Sequence, residues 1–221
     1  MEQGETLSSP SSAGADSPST WDWIAATHTL SGAAVRAGAA VRELNRALVG
    51  STAPDDVLDA VTAEVERLVE RLAPHARQSR YDQAQAISGS GTFANHPMIG
   101  PANPCAPPIT LHRSEDGLVG DVRFGTPQEG PPGCAYGGYL AAGFDAILLM
   151  TAGAAGVGGP TRSLTVRYRK PTPLQSPLQY VGRVSEVAER STHVKGALVG
   201  PDGTVYVEGE ASVARGARIG G

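Results

Sequence analysis

The sequence is poor in most of the features that would declare a function outright. It has two cysteines, Cys105 and Cys134, and neither belongs to a Cys-x-x-Cys pair. That argues against a disulfide scaffold or a cysteine-rich zinc module and suits a reducing compartment. The histidines His28, His75, His96, His112 and His193 show no metal-type spacing, so no metal is assigned and no cofactor is called for. Positive charge is short as well: 18 Lys and Arg against 22 Asp and Glu give a formal net charge of -4, which offers no general attraction to nucleic acid. No apolar stretch is long and unbroken enough to be read as a membrane span. The first residues do not pair a basic run with an apolar one, so no secretory leader is expected and the cytoplasm is the expected location. Residues 1–20 hold almost no large apolar side chain and are expected to form a disordered tail.

The length of 221 residues fits one domain of ordinary size with additions. From Trp21 to Gly50 the pattern is helical, with Val41, Leu44 and Leu48 on one face and Gly50 as the stop. A second helix is predicted after Thr52-Ala-Pro-Asp55, which resembles a capping box with Asp in place of Glu. Val57, Leu58, Val61, Val65, Leu68 and Leu72 then follow at helical spacing until Pro74. Such a pair suits covering a sheet edge, lining a tunnel or adding oligomer contacts, and the sequence does not choose. From His75 to Pro108 the chain reads as a long loop, rich in Pro and Asn near its end.

The organising stretch runs from Glu129 to Arg162. Between those two charges the only formally charged side chain is Asp145. Gly130, Pro131, Pro132 and Gly133 make a turn-rich lead-in. Ala135 to Thr151 has no proline and abundant Ala, Leu and Ile, and the run from Gly153 to Pro160 ends the helix. A helix apolar nearly all round is expected to be enclosed by other structure. Gly137 and Gly138 fall in its first turn, where unpaired N–H groups can meet an anion or a developing oxyanion. Asp145 is then either a structural carboxylate held by local donors or a catalytic one tuned by burial. Two helical turns separate it from Gly137, which favours a site built between two chains.

The second half alternates with a period of two. Leu118–Phe124 reads as a short strand. After the helix come Leu164, Val166 and Tyr168 alternating with polar neighbours, then Leu178–Val187, Thr192–Val199, and a Pro201-Asp-Gly203 hairpin into Thr204–Val213. The fold class is therefore α+β: an antiparallel five-stranded sheet wrapped round a central helix, with an N-terminal helical extension. Its exposed edges call for a homodimer or a dimer of dimers.

The order of elements, the turn-Gly-Gly helix with an acid further on, and the TRSLTVRYRKPTPLQSPL strand and turn together resemble the hotdog-fold acyl-CoA thioesterases of the phenylacetate-degradation (PaaI-like) type. The resemblance covers Ile109 to Arg215 and puts 21–108 outside it as an extension, with 216–221 as a tail. It implies an acyl-CoA substrate and an activity that hydrolyses the thioester. By the same resemblance Gly137 offers its N–H to the thioester carbonyl, Asp145 activates water or attacks, and Thr161 orients the water or carboxylate. Ser163 is the neighbouring candidate, a hydroxyl expected on the same strand face. The family's His-Gly-Gly is Tyr136-Gly137-Gly138 here, and the amide expected at position 130 is a glycine, with Gln128 or Glu129 as stand-ins. Tyr136 can donate a hydrogen bond but cannot act as a base near neutral pH. Arg167, Arg169 and Lys170 are the candidates for the phosphates of CoA. Cys134 reads as small apolar filler. Two other readings stay open: a non-hydrolytic module binding an acyl thioester or lipid, and a hydratase-type enzyme, for which the accompanying His is missing.

Overall fold

The computed structural model of the protein describes residues 32–76, 78, 93–107 and 109–215. The tails expected at 1–20 and 216–221, the first part of the helix expected from Trp21, and much of the loop after His75 lie outside the described residues.

Two N-terminal helices, α1 (Gly32–Val49) and α2 (Asp55–Leu72), precede the domain. Thr52 does not cap α2. Pro54 occupies the cap position and makes no side-chain cap bond, and Asp55 and Asp56 supply negative charge to the first turn instead. Helix α1 is tied down by Arg42, which donates to the carbonyls of Asn103 at 2.8 Å and Pro101 at 3.0 Å. Gly38 lets the helix approach the Ala102 backbone, where a Cβ would stand 2.6 Å from the carbonyl oxygen. The apolar stripe of α2 is uncovered in the single chain: Leu68 and Leu72 are exposed, and no residue of the helix is buried.

The domain is an antiparallel sheet around one helix, α3 (Gly137–Ala154). The strands are β1 (Thr110–Ser114), β2 (Gly117–Val122), β3 (Thr161–Tyr168), β4 (Leu178–Val187), β5 (Ser191–Val199) and β6 (Val205–Ala214). Their order across the sheet is β1-β2-β4-β5-β6-β3, so β1 and β3 are the edges. Among the described residues the sheet thus has six strands rather than the five expected. The extra one, β1, pairs with β2 through a short turn at Glu115 and Asp116. Leu111 is its only buried side chain, so it shows no alternation. Asp116-Gly117 is the turn signal that could have revealed it.

Helix α3 is long and apolar enough to span a membrane by length and composition, yet half of it is buried and it contacts five of the strands. It lies this close because the sheet withholds side chains beneath it. Gly182, Gly196 and Gly209 stand directly opposite one another on β4, β5 and β6. A Cβ on Gly209 would lie 2.3 Å from Phe144 Cδ1, one on Gly182 2.4 Å from Thr151 Oγ1, and one on Gly196 3.0 Å from Leu148 Cδ2. Gly120 on β2 meets Ile147 in the same way. The helix returns the accommodation at Gly143, over which the Tyr180 ring passes, edge-on to Phe144 at 5.0 Å between centroids.

Filling one of these gaps overpacks the core. Gly209→Ala is expected to cost roughly 1–3 kcal/mol, read as a lowered denaturation midpoint, while Ser212→Ala on the outer face of the same strand changes it little. Equal midpoints for the two variants would mean that the helix does not rest on the glycine row.

Candidate active site

The glycine turn is built by backbone pairing before the helix begins. Gly125 N–H donates to Gln128 Oε1 at 3.0 Å and Gly133 N–H to Glu129 Oε1 at 2.7 Å. Through these oxygens Gln128 and Glu129 brace the lead-in. Tyr136 N–H donates to the Gln128 carbonyl, Gly130 N–H to that of Cys134, and Ala135 N–H to that of Thr172. Cys134 is half-buried inside this small ladder, next to Pro173, in keeping with a structural role. Helix α1 reaches the same lead-in, packing against Thr126–Gln128.

Tyr136 is the N-cap of α3, with φ -65 and ψ 130, and it gives no side-chain cap. The N–H groups of Gly137 and Gly138 have no acceptor among the described residues. This is the donor pair that a developing oxyanion requires. Two tyrosines flank it. The exposed Tyr136 ring lies over Gly138, where a Cβ would be 2.4 Å from its Cε1, and packs edge-on to Tyr139 at 6.5 Å. The Tyr168 hydroxyl donates to the Gly137 carbonyl at 2.9 Å, and its ring lies 3.3 Å from where a Gly137 Cβ would be. A third tyrosine, Tyr180, donates to the Leu140 carbonyl at 3.2 Å. Burial pushes its hydroxyl well above the usual tyrosine range, and the nearby Tyr168 adds to the shift, so it remains a protonated donor.

Asp145 is exposed in the single chain, which corrects the expectation of a carboxylate set in apolar surroundings. The sheet covers only the side of α3 that carries Leu140, Gly143, Phe144, Ile147, Leu148 and Thr151. Gly138, Ala141, Ala142, Asp145 and Leu149 form a stripe on the other side, where the residues are exposed or half-buried. Small residues there counted as apolar in the sequence, which made the helix look enclosed all round.

Thr161 and Ser163 do not share a face, contrary to expectation. The register slips between them, with Thr161 opposite Val213 and Ser163 opposite Ser212 on β6. Cross-strand partners point the same way. Val213 is fully buried against the helix, so the half-buried Thr161 faces inward and the exposed Ser163 faces out. A bulge that re-aims one side chain is a device a sequence pattern does not display.

The basic residues are partly engaged. Arg167 pairs with Glu210 at 3.0 Å, and Arg169 with Glu208 at 2.7 Å. Lys170 has no carboxylate at ion-pair distance among the described residues, although its charge helps hold Asp202 below the usual carboxylate range, behind the larger effect of hydrogen bonds from Thr204. An open groove of about 520 Å³ lies among Thr110, Asp121, Arg123, Gln179 and Pro201, and none of the sequence-predicted site residues lines it.

Residues 132–207 match the Thioesterase superfamily. A crystal structure described as protein RHA08564, a thioesterase superfamily protein, is similar with a TM-score of 0.74 and 31% identity, over 82% of this chain and 90% of that one. The chain belongs to the thioesterase superfamily, and its fold is the hotdog. Also similar are a hypothetical thioesterase from Streptococcus pneumoniae with coenzyme A (20% identity, 50% of this chain, 90% of that one, TM-score 0.46) and a Streptococcus mutans protein bound to acetyl CoA (18% identity, 50% and 90%, TM-score 0.46). At those scores neither carries weight for this chain. No curated protein matches it.

One polar atom beside the turn is orphaned: the buried Thr172 hydroxyl has no hydrogen-bond partner among the described residues. Replacing it with an isosteric apolar group removes that unmet demand. Thr172→Val is expected to raise stability by about 1 kcal/mol, measured by chemical denaturation, and a loss of similar size would mean that the hydroxyl is satisfied in solution.

Proposed function

We propose that the protein hydrolyses acyl-CoA thioesters, in the manner of the PaaI-like enzymes, at a site shared by two copies of the chain. The observation that carries this reading is the placing of one carboxylate, one donor pair and one hydroxyl along α3 and β3. Gly137 and Asp145 are eight residues apart on one helix, so their backbones stand roughly 12 Å apart along its axis. A base and an oxyanion donor must both come within about 3 Å of the reacting group. One chain therefore cannot apply both to a single thioester.

A second chain resolves the geometry. Tyr168 touches Gly137, which puts the helix start at the end of β3, while Thr161 lies at the other end, roughly 23 Å away along the strand. Among the described residues no strand pairs with the outer side of β3. If two copies join antiparallel through that edge, the Thr161 end of one strand meets the Tyr168 end of the other, beside the partner's glycine turn. The uncovered stripe of α3 then gains a lid, and Asp145 becomes enclosed by the partner rather than by its own sheet.

The chemistry then follows the residues. Asp145 acts as base toward water, or attacks the carbonyl itself and is released by water in a second step. The Gly137 N–H holds the oxyanion, with Gly138 beside it. The carbon–sulfur bond breaks, the acid carries the new oxygen, and the thiol of CoA leaves with a proton. Thr161, on the inner face, orients the water or the carboxylate. Lys170 is the phosphate contact left available, whereas Arg167 and Arg169 would first have to leave Glu210 and Glu208.

A panel of aliphatic and aromatic acyl-CoAs tests the reading. Asp145→Ala is expected to lower kcat about a hundredfold or more, and Thr161→Ala to lower it measurably, while Ser163→Ala stays within about twofold of wild type. Equal turnover by wild type and Asp145→Ala contradicts the proposal. Tyr136 in the place of the family's His, with its ring resting on Gly138, favours a second reading, a non-hydrolytic module for an acyl thioester or lipid. Wild-type protein that binds acyl-CoA without turning it over would select that reading.

A further inference from the structure

We propose that Tyr168 is a positioning residue that helps fix the direction of the Gly138 N–H, the second donor of the glycine turn. The inference rests on the hydrolytic reading of the glycine turn and adds to it a tether from β3. The carbonyl of Gly137 and the N–H of Gly138 belong to one planar peptide unit, so holding one holds the other. Glycine leaves that unit freer to rotate than any other residue pair would. As the first residue of α3, Gly137 already turns its carbonyl into the helix, while Tyr136 adds no side-chain cap.

Tyr168 adds a restraint from outside the helix in two ways. Its hydroxyl donates to the Gly137 carbonyl at 2.9 Å, and its ring lies against the Cα of Gly137 on the side where a Cβ would be. A hydrogen bond received at the carbonyl also polarises the N–H at the other end of the same peptide. The position is costly to explain by packing alone. Tyr168 shares the inward face of β3 with Leu164 and Val166, yet it is 55% exposed. Tyr180 shows the contrast: it makes a similar bond to Leu140 but is fully buried in the core. Tyr168 also terminates β3, the edge at which the proposed partner chain would arrive, so it ties the donor turn to the element that completes the site.

Tyr168→Phe keeps the ring and removes the hydroxyl. The expected result is a kcat lowered about tenfold on a good acyl-CoA substrate, a fraction of what loss of a whole oxyanion donor costs, with KM within about twofold and an unchanged melting temperature. Amide exchange at Gly138, followed by NMR on glycine-labelled protein, is expected to quicken in the same variant. An unchanged kcat in Tyr168→Phe against an active wild type overturns the inference and leaves the hydrolytic reading standing. If wild type itself hydrolyses none of the substrates, that reading fails on its own, and exchange at Gly138 decides the tether: faster exchange supports it and equal exchange overturns it.

Discussion

The central helix can reach the sheet only because four strands withhold a side chain where it lies. Gly182, Gly196 and Gly209 make a row across β4, β5 and β6, with Gly120 beside it on β2, and Phe144, Ile147, Leu148 and Thr151 fill the space they leave. Each of the large apolar groups so buried contributes roughly 1.5–3 kcal/mol. The gain depends on contact at van der Waals distance, which any Cβ in the row would prevent. The row therefore does more than stabilise the fold. It fixes the rotation of α3 about its own axis, and with it the direction in which the opposite stripe faces.

That stripe is where chemistry becomes possible. Seating one side of the helix in the glycine row leaves Gly138, Ala141, Ala142, Asp145 and Leu149 without cover from their own chain. A carboxylate on such a stripe would be an ordinary surface acid if nothing came to meet it. The unpaired β3 edge runs alongside, with Thr161 turned inward at one end by a bulge and Tyr168 holding the helix start at the other. Fold and site are linked through this arrangement: the contacts that bury one half of the helix also present the other half to whatever joins the edge.

Much of the fold was legible because its elements announce themselves locally. The Pro201-Asp-Gly203 turn separates two strands that end within a residue or two of where the pattern places them. The breaker-rich runs on either side of α3 mark its limits well. Strand β1 was not legible, because a strand with Leu111 as its only buried residue carries no alternation. The capping role of Thr52 was misread because Pro54, with its fixed backbone angle, takes the position before the first turn. The residue types of the candidate site could be proposed from the sequence, but not their directions. Composition could not show that Ala141 and Ala142 lie on an open side, nor spacing that a bulge separates the faces of Thr161 and Ser163. The tie from Tyr168 to Gly137 joins residues far apart in the chain, and only the fold brings them together.

The central claim, that donor and carboxylate of one site come from different chains, is open to direct measurement by mixing two inactive variants. Asp145→Ala removes the carboxylate. Gly137→Pro removes the N–H; proline suits the first helical position after the extended Tyr136, and the Tyr168 ring, 3.3 Å from the added Cβ, has to shift by a few tenths of an ångström to admit it. Refolded together from equal amounts, the two are predicted to recover about a quarter of the wild-type acyl-CoA hydrolase rate, because half the dimers are mixed and each mixed dimer keeps one intact site. No recovery beyond the sum of the separate variants, in a preparation shown to contain mixed dimers, would contradict the account.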